Sequence, residues 1–236
     1  MATFYKGDAL ETIKSQIKDK SINLIYADPP FGTTGAWWDS KMNWPELFKE
    51  FFRVLKDDGM LVLHCSIPFN YELIRAAPKP PSYSWYWKKN NSTNHLSVNR
   101  MPMRNVEEIL VWKNKKNKYN AQRIGTEERI LPAKKAEHNI YWSGAAGEKP
   151  ERVVQGKSMT HFLDFPRCLD SFSTRPIEII DLMIKSYTNE GDTILDFSCF
   201  KGISGVRAKE LGRKWVGIDL YHLPSLLICE PKKVNS

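Results

Sequence analysis

Two hydrophobic periods alternate along the first third of the chain. Ile22 to Ala27 is a short, mostly apolar run with β-branched residues, cut off at Asp28-Pro29-Pro30, where a helix cannot continue. It reads as a buried strand. Leu47, Phe48, Phe51, Phe52 and Leu55 then fall on one helical face, with Pro45 near the first turn and Asp57-Asp58-Gly59 as the stop. Met60 to Cys65 is the next strand, a helix follows Ile67-Pro68-Phe69-Asn70, and Tyr83 to Trp87 and Glu108 to Trp112 read as further strands. From about Lys113 to Pro166 no period persists and Lys, Asn, Gly and Pro are frequent, which predicts a loop-rich insertion with short strands. Regularity returns at Arg175-Pro176. Ile177, Ile180, Met183, Ile184 and Tyr187 share a helical face, Asn189 to Asp192 is a turn, and Thr193 to Phe197 is a strand. A helix over Ile203 to Leu211 and a strand over Lys214 to Asp219 complete the pattern. Strands alternating with helices predict an α/β fold, a mostly parallel sheet covered on both faces.

Composition narrows the class. A chain of 236 residues buries one full core, and 42% hydrophobic with 26% charged residues is an ordinary globular balance. The longest apolar runs, such as Met60 to Leu63, are far too short to cross a bilayer, so no membrane role is expected. The N-terminus has no basic region leading into a long apolar stretch, so no secretory signal is read there. Cys65, Cys168, Cys199 and Cys229 show neither paired nor metal-type spacing, which predicts reduced thiols, an intracellular setting and no metal site. Charge is unevenly divided. Lys79 to Asp170 holds 17 Lys and Arg against 9 Asp and Glu, while the remainder has 18 of each, so the whole net charge of +8 lies in the middle. A basic, aromatic-bearing centre on a neutral scaffold suits a polyanion, although such runs are also common as plain solvated surface.

Open parallel sheets gather ligands at the carboxyl ends of their strands, and the unusual residues lie there. Asp28-Pro29-Pro30-Phe31 follows the first strand: two prolines strip two amide donors, leaving carbonyls and a carboxylate as acceptors beside an aromatic ring, a setting for a planar group bearing an amine. A rigid turn over a core Phe is the plainer reading. Leu195 to Gly205 (LDFSCFKGISG) has the strand, carboxylate, turn and helix start of a nucleotide-type loop, but Phe200 and Lys201 stand where a close-approaching ligand favours small residues. Asp219 ends the last strand and suits ribose hydroxyls.

The run GDALETIKSQIKDKSINLIYADPPFGTTGAWWDS, the central stretch from Trp85 to Gln122, FSTRPIEIIDLMIKSYTNEGDTILDF and ELGRKWVGIDL follow one another in an order that resembles the β-class amino-methyltransferases, which modify exocyclic amines of DNA bases. The resemblance covers nearly the whole chain and is closest to small solitary enzymes of phages and bacteria. It implies a single Rossmann-like methyltransferase domain using S-adenosylmethionine (SAM), with double-stranded DNA as partner. RNA, and a homodimer or a heterodimer with a related subunit, stay open. Residues 1–112 would form the target-base half, 113–166 a basic target-recognition insertion, and 167–236 the SAM half. Asp28, Pro29, Pro30 and Phe31 would be catalytic, the Asp favouring adenine N6 over cytosine N4. Asp8, Asp28, Thr174, Arg175, Asp196, Phe197, Ser198, Cys199, Gly202 and Asp219 would line the cofactor, Arg175 standing where Lys is common. Phe200 and Ile203 replace a Gly and a Thr of the family's loop, which admits a second reading as a weak or inactive nucleic-acid-binding subunit. Lys88, Lys89, Arg104, Lys115, Lys116 and Lys118 are the candidate nucleic-acid contacts, and residues 32–39, with Trp37 and Trp38, a candidate lid over a flipped base.

Overall fold

The computed structural model describes residues 1–133, 150–167 and 175–221 and the short strand 231–232. The chain divides into two compact units, one made of residues 1–120 and 161–236, the other of Ala121–Thr160. The larger unit begins β1 (Ala2–Lys6), α1 (Ala9–Gln16), β2 (Ile22–Ala27), α2 (Trp44–Val54), β3 (Leu55–Cys65), α3 (Phe69–Ala76), β4 (Tyr83–Thr93) and β5 (Arg104–Lys113). The smaller unit is an antiparallel hairpin of β6 (Arg123–Leu131) and β7 (Arg152–Ser158). The larger unit resumes with β8 (Phe162–Asp164), α4 (Ile177–Tyr187), β9 (Thr193–Asp196), α5 (Ile203–Glu210), β10 (Lys214–Asp219) and β11 (Pro231–Lys232).

Among the described residues its sheet has the order β11-β1-β10-β9-β2-β3-β5-β4-β8, and β5 alone runs against its neighbours. The α/β, mostly parallel fold expected from the alternation is the fold observed. β2 is buried along its whole length, which is why it reads as an unbroken run rather than an alternating one. On one face, α2 buries Leu47, Phe48, Phe51 and Val54, and Phe48 and Phe51 pack against Trp112 and Phe197 with ring centroids 5.3 and 4.8 Å apart. Each such fully buried ring contributes about 1.5–3 kcal/mol.

Two local outcomes differ from the pattern. Asp57-Asp58-Gly59 does not stop α2. The helix ends at Val54, where Leu55 turns to extended backbone, and the three residues fall inside β3. Gly59 is needed there, since a Cβ would lie 2.8 Å from a Leu55 methyl and 2.9 Å from the Lys56 carbonyl oxygen. β1, too short and too polar for a clear period, exists because it pairs with β10 from Ala2↔Trp215 to Lys6↔Asp219.

Candidate active site

Strand order fixes where a ligand can sit. β9 leads through α5 to β10 on one side, while β2 leads through α2 to β3 on the other, so the chain departs in opposite directions from the β9/β2 pair. The crevice beyond their carboxyl ends is the topological switch point of the sheet. Asp28 leaves β2 on one lip. Asp196 ends β9 on the other, with Asp219 next to it at the end of β10.

On the first lip, Asp28 is about a third exposed. Its Oδ1 lies 2.5 Å from Nη2 of Arg175, a side chain only 13% exposed, whose Nη1 meets Glu107 on β5. Glu107 in turn accepts from buried Lys89 on β4 at 2.7 Å. The Trp87 ring lies within cation–π distance of both cations, 5.5 Å from the Arg175 guanidinium and 5.9 Å from Lys89. Burial alone would lower the Arg175 pKa, but Asp28 and Glu107 more than offset it and the net shift is upward, so the guanidinium stays charged. Beneath the lip, the Tyr26 hydroxyl and His64 Nε2 are 2.9 Å apart and both groups are buried. Burial, with Arg175 close by, drives the His64 pKa well down, leaving a neutral imidazole. Pro29 is buried and Pro30 half-buried. The Phe31 ring stacks on Phe69 with centroids 4.8 Å apart, so one of its faces is already taken.

The segment after Phe31 is tied rather than loose. The buried Asp39 carboxylate accepts from the amides of Gly32, Thr33 and Thr34 and from the Thr34 hydroxyl, at 2.7 to 3.0 Å. Burial works against ionisation there, yet these bonds prevail and the Asp39 pKa is lowered. The closed loop displays Trp37, 70% exposed with its ring edge-on to Tyr221, and Trp38, 47% exposed.

On the second lip, Asp196 is buried, accepting from the Ser204 hydroxyl at 2.5 Å and the Ser198 amide at 3.2 Å. Burial outweighs these bonds and pushes its pKa up to about 7. Asp219 accepts through Oδ2 from the Phe200 amide and through Oδ1 from the Tyr221 amide, at 2.8 and 2.9 Å. Asp8 is brought to the same rim by the β1/β10 register and caps α1, accepting from the Glu11 amide at 3.0 Å. Phe200 adopts φ +46°, in the left-handed region that disfavours a side chain, and Gly202 sits at φ +81°.

The remaining expected site residues are variously placed. Phe197 is core, its ring against Phe51 and Trp44, because a residue just past a buried strand end turns inward. Cys199 is buried and its amide donates to the Ile218 carbonyl, extending the β9/β10 junction. The Gly202 amide is held by the Cys199 carbonyl at 2.7 Å. Lys89 is a buried ion-pair partner, and Lys118 is drawn to Asp192 at 2.7 Å, so neither ammonium is a surface contact. Lys115 and Lys116 are exposed but follow β5 at the wrong end: Lys113 pairs with Met60, and their amides donate to the Asp57 carbonyl near the start of β3, whereas the site lies past Cys65. Lys88 and Arg104 are exposed and lie past the Cys65↔Glu108 pair, at the site's end. Thr174 lies outside the described residues. Glu107, Asp39, Tyr26 and His64 escaped the sequence reading; a charged pair, Glu107-Glu108, abutting an apolar strand was the available hint.

With this geometry established, the chain's kinship is clear: residues 22–223 match the DNA methylase family model for N6 and N4 enzymes, and the chain belongs to that family. Among its curated relatives are Type II methyltransferase M.BamHI of Bacillus amyloliquefaciens (24% identical, 93% of this chain and 55% of that protein) and Type II methyltransferase M2.DpnII of Streptococcus pneumoniae (25%, 87% and 80%). The DNA adenine methyltransferase YhdJ of Escherichia coli K12 is 24% identical over 92% of this chain and 78% of its own length. The chain thus spans about half of M.BamHI and about four fifths of the other two. The fold is shared with the M1.HpyAVI–SAM complex (TM-score 0.60, 20% identity, 93% of each chain) and with the cytosine-N4-specific PvuII DNA methyltransferase (0.64, 14%, 93% and 82%). Among the described residues no helix is long and apolar enough to cross a membrane, and no His, Cys, Asp and Glu cluster could hold a metal ion.

Proposed function

We propose that this chain transfers the methyl group of SAM to the exocyclic amine of a base in double-stranded DNA, with adenine N6 as the target. One observation carries the reading: the Asp28-Pro29-Pro30-Phe31 acceptors stand on one lip of the switch-point crevice and the Asp196 and Asp219 carboxylates on the other. The second lip fits a nucleoside. A backbone amide at each oxygen fixes the Asp219 carboxylate at its strand end, and a carboxylate oxygen accepts more than one hydrogen bond, as ribose hydroxyls require. Nearby, Ser198 Oγ is buried with no hydrogen-bond partner among the described residues. When bound, SAM supplies an electrophilic sulfonium methyl group.

The chain's own part is to prepare the amine. Asp28 and the Pro29 carbonyl accept its two N–H bonds, which draws the nitrogen lone pair out of conjugation with the ring. The nitrogen then bonds to the methyl carbon as the carbon–sulfur bond breaks, and the surplus proton leaves toward Asp28 and solvent. Fixed acceptors and in-line placement supply the rate gain without a covalent enzyme intermediate. A base in duplex DNA must leave the stack to reach the crevice. Phe31, with one ring face on Phe69, offers the other to that base. Arg175, Asp8, Asp196, Ser198 and Gly202 border the cofactor side, and residues 121–160 are assigned to target recognition.

Asp28 and the adenine activity named for YhdJ support adenine, whereas the fold serves cytosine-N4 chemistry equally well in PvuII. Mass spectrometry of nucleosides from DNA of cells expressing the protein decides the base: N6-methyladenine is expected, and N4-methylcytosine would replace it. Asp28→Ala is expected to abolish transfer of a tritiated methyl group while leaving SAM binding largely intact. Phe200 favours a second reading, a methyltransferase-like subunit that binds nucleic acid without turnover, because its left-handed backbone and ring stand at the cofactor loop. Calorimetry with and without DNA separates the two: absent or millimolar SAM binding in both conditions would establish the second.

A further inference from the structure

Arg175 borders both the cofactor side and the acceptor side of the crevice, and its contacts show which it serves. Its two terminal nitrogens reach different carboxylates on different strands: Nη2 meets Asp28 Oδ1 at 2.5 Å past the end of β2, and Nη1 meets Glu107 on β5. Glu107 is itself anchored by Lys89 from β4 at 2.7 Å, and the Trp87 ring packs beside both cations. The four charges form a balanced row, Lys89, Glu107, Arg175, Asp28, in which only Asp28 is substantially open to solvent. A carboxylate held by one oxygen in this way presents the other in a fixed direction. We propose that Arg175 is a positioning residue for Asp28, acting with Glu107 behind it, and that it does not bind the cofactor's carboxylate.

The proposal rests on the methyltransferase reading for its catalytic consequence but not for its structural one. The planar guanidinium donates to Asp28 through one terminal nitrogen and is ion-paired with Glu107 through the other, whereas the ammonium of a lysine on a flexible stem is a point charge that cannot reproduce that fork. Losing the bridge frees Asp28 to rotate, and a misplacement of about 1 Å in a reacting group can cost roughly 100-fold in rate.

The test uses the full-length protein with Arg175→Met, Arg175→Lys and Glu107→Gln, measured for methyl transfer to DNA, for SAM affinity by calorimetry, and by crystallography. Arg175→Met is expected to lower kcat on the order of 100-fold with SAM affinity changed by less than about threefold. Arg175→Lys is expected to restore part of kcat, and Glu107→Gln to lower kcat in the same direction as Arg175→Met, with the double variant falling short of the two effects combined. A loss of SAM affinity of about tenfold or more with kcat retained at saturating SAM would overturn the proposal and return Arg175 to the cofactor. Crystal structures decide it independently of turnover. Asp28 is expected to leave its present rotamer in Arg175→Met, or in Arg175→Lys should the Met variant not fold, and an unmoved Asp28 would sink the proposal. A wild-type protein without transferase activity would refute the methyltransferase reading alone, since the Asp28 rotamer would still answer for the positioning role.

Discussion

Phe200 carries its departure from the family's glycine in the backbone. At φ +46° a residue with a Cβ is strained by about 1–2 kcal/mol, and its amide is committed to Asp219 Oδ2. Because the left-handed conformation belongs to the fold itself, the strain bears on folding stability and not on SAM affinity. Phe200→Gly is therefore expected to raise unfolding free energy by about 1 kcal/mol, less whatever packing the half-buried ring supplies, with SAM affinity nearly unchanged. Urea denaturation alongside calorimetry checks both halves, and a large gain in affinity without a gain in stability would contradict the assignment. Asp196 makes a prediction in pH. Burial raises its carboxyl from an ordinary 3.8 to about 7, so between those values the folded chain keeps a proton that the unfolded chain has released. The unfolded state binds fewer protons there, and this group's contribution to stability falls as pH rises across that window and levels off above it. His64 has the opposite sign, since burial keeps it neutral while the unfolded imidazole charges below about pH 6.5. The difference between wild type and Asp196→Asn isolates the carboxylate: the variant is expected to gain stability relative to wild type from about pH 4 toward pH 7, and a pH-independent difference would refute the buried-acid account.

Elements decide which cations can reach DNA. Beyond the Cys65↔Glu108 pair, β4 and β5 run on past the site's end of the sheet, and residues 88–106 contain no acidic side chain, while Lys88, Arg100 and Arg104 are exposed there. Lys115 and Lys116 follow Lys113, which lies five residues of strand from Glu108, roughly 16 Å at 3.3 Å per residue, at the opposite end. Charge-neutralising substitutions of Lys88, Arg100 and Arg104 are expected to weaken DNA binding and reduce its salt slope by about one for each cation removed from a phosphate, whereas Lys115→Gln with Lys116→Gln leaves the slope as it was. Fluorescence titrations across a salt series read this directly, and the reverse result would move the DNA path to the other end. The contrast marks what the sequence could and could not carry. β2, α2, α4 and β10 were legible because apolar periodicity is local, and the strand-end carboxylates followed from the same alternation. The direction of β5 was not, because antiparallel pairing with β3 and β4 is set by long-range register; that one reversal sent Lys115 and Lys116 away from the site. Glu107, Lys89 and Arg175 were likewise unreadable as a group, since the chain separates Arg175 from the other two by well over sixty residues and only the fold brings them together.

At the scale of the molecule, the division into two units leaves the crevice within one of them. Every residue described on either lip of the crevice belongs to the unit of residues 1–120 and 161–236, and the sheet's inter-strand pairing closes entirely within it. Ala121–Thr160 holds its own hairpin, six paired positions from Arg123↔Ser158 to Leu131↔Arg152, with the Met159 amide donating to the Gln122 carbonyl at its base. That bond puts the two ends of the excursion side by side, the arrangement in which a segment can be exchanged for a short turn at little cost in closure entropy. Among the described residues, the smaller unit adds none of the buried side chains of the main core cluster. Replacing residues 121–160 by a short Gly-Ser linker is therefore expected to leave a folded protein whose unfolding free energy changes by no more than about 1–2 kcal/mol and whose SAM affinity matches wild type. If the hairpin reads sequence, the shortened protein binds specific and non-specific duplexes alike and methylates without site preference, at a rate limited by base extrusion. Sequencing of methylated positions in DNA treated with each form would then show a motif for wild type and none for the shortened chain. The same motif from both would place recognition on the β4–β5 extension and leave the hairpin without a reading role.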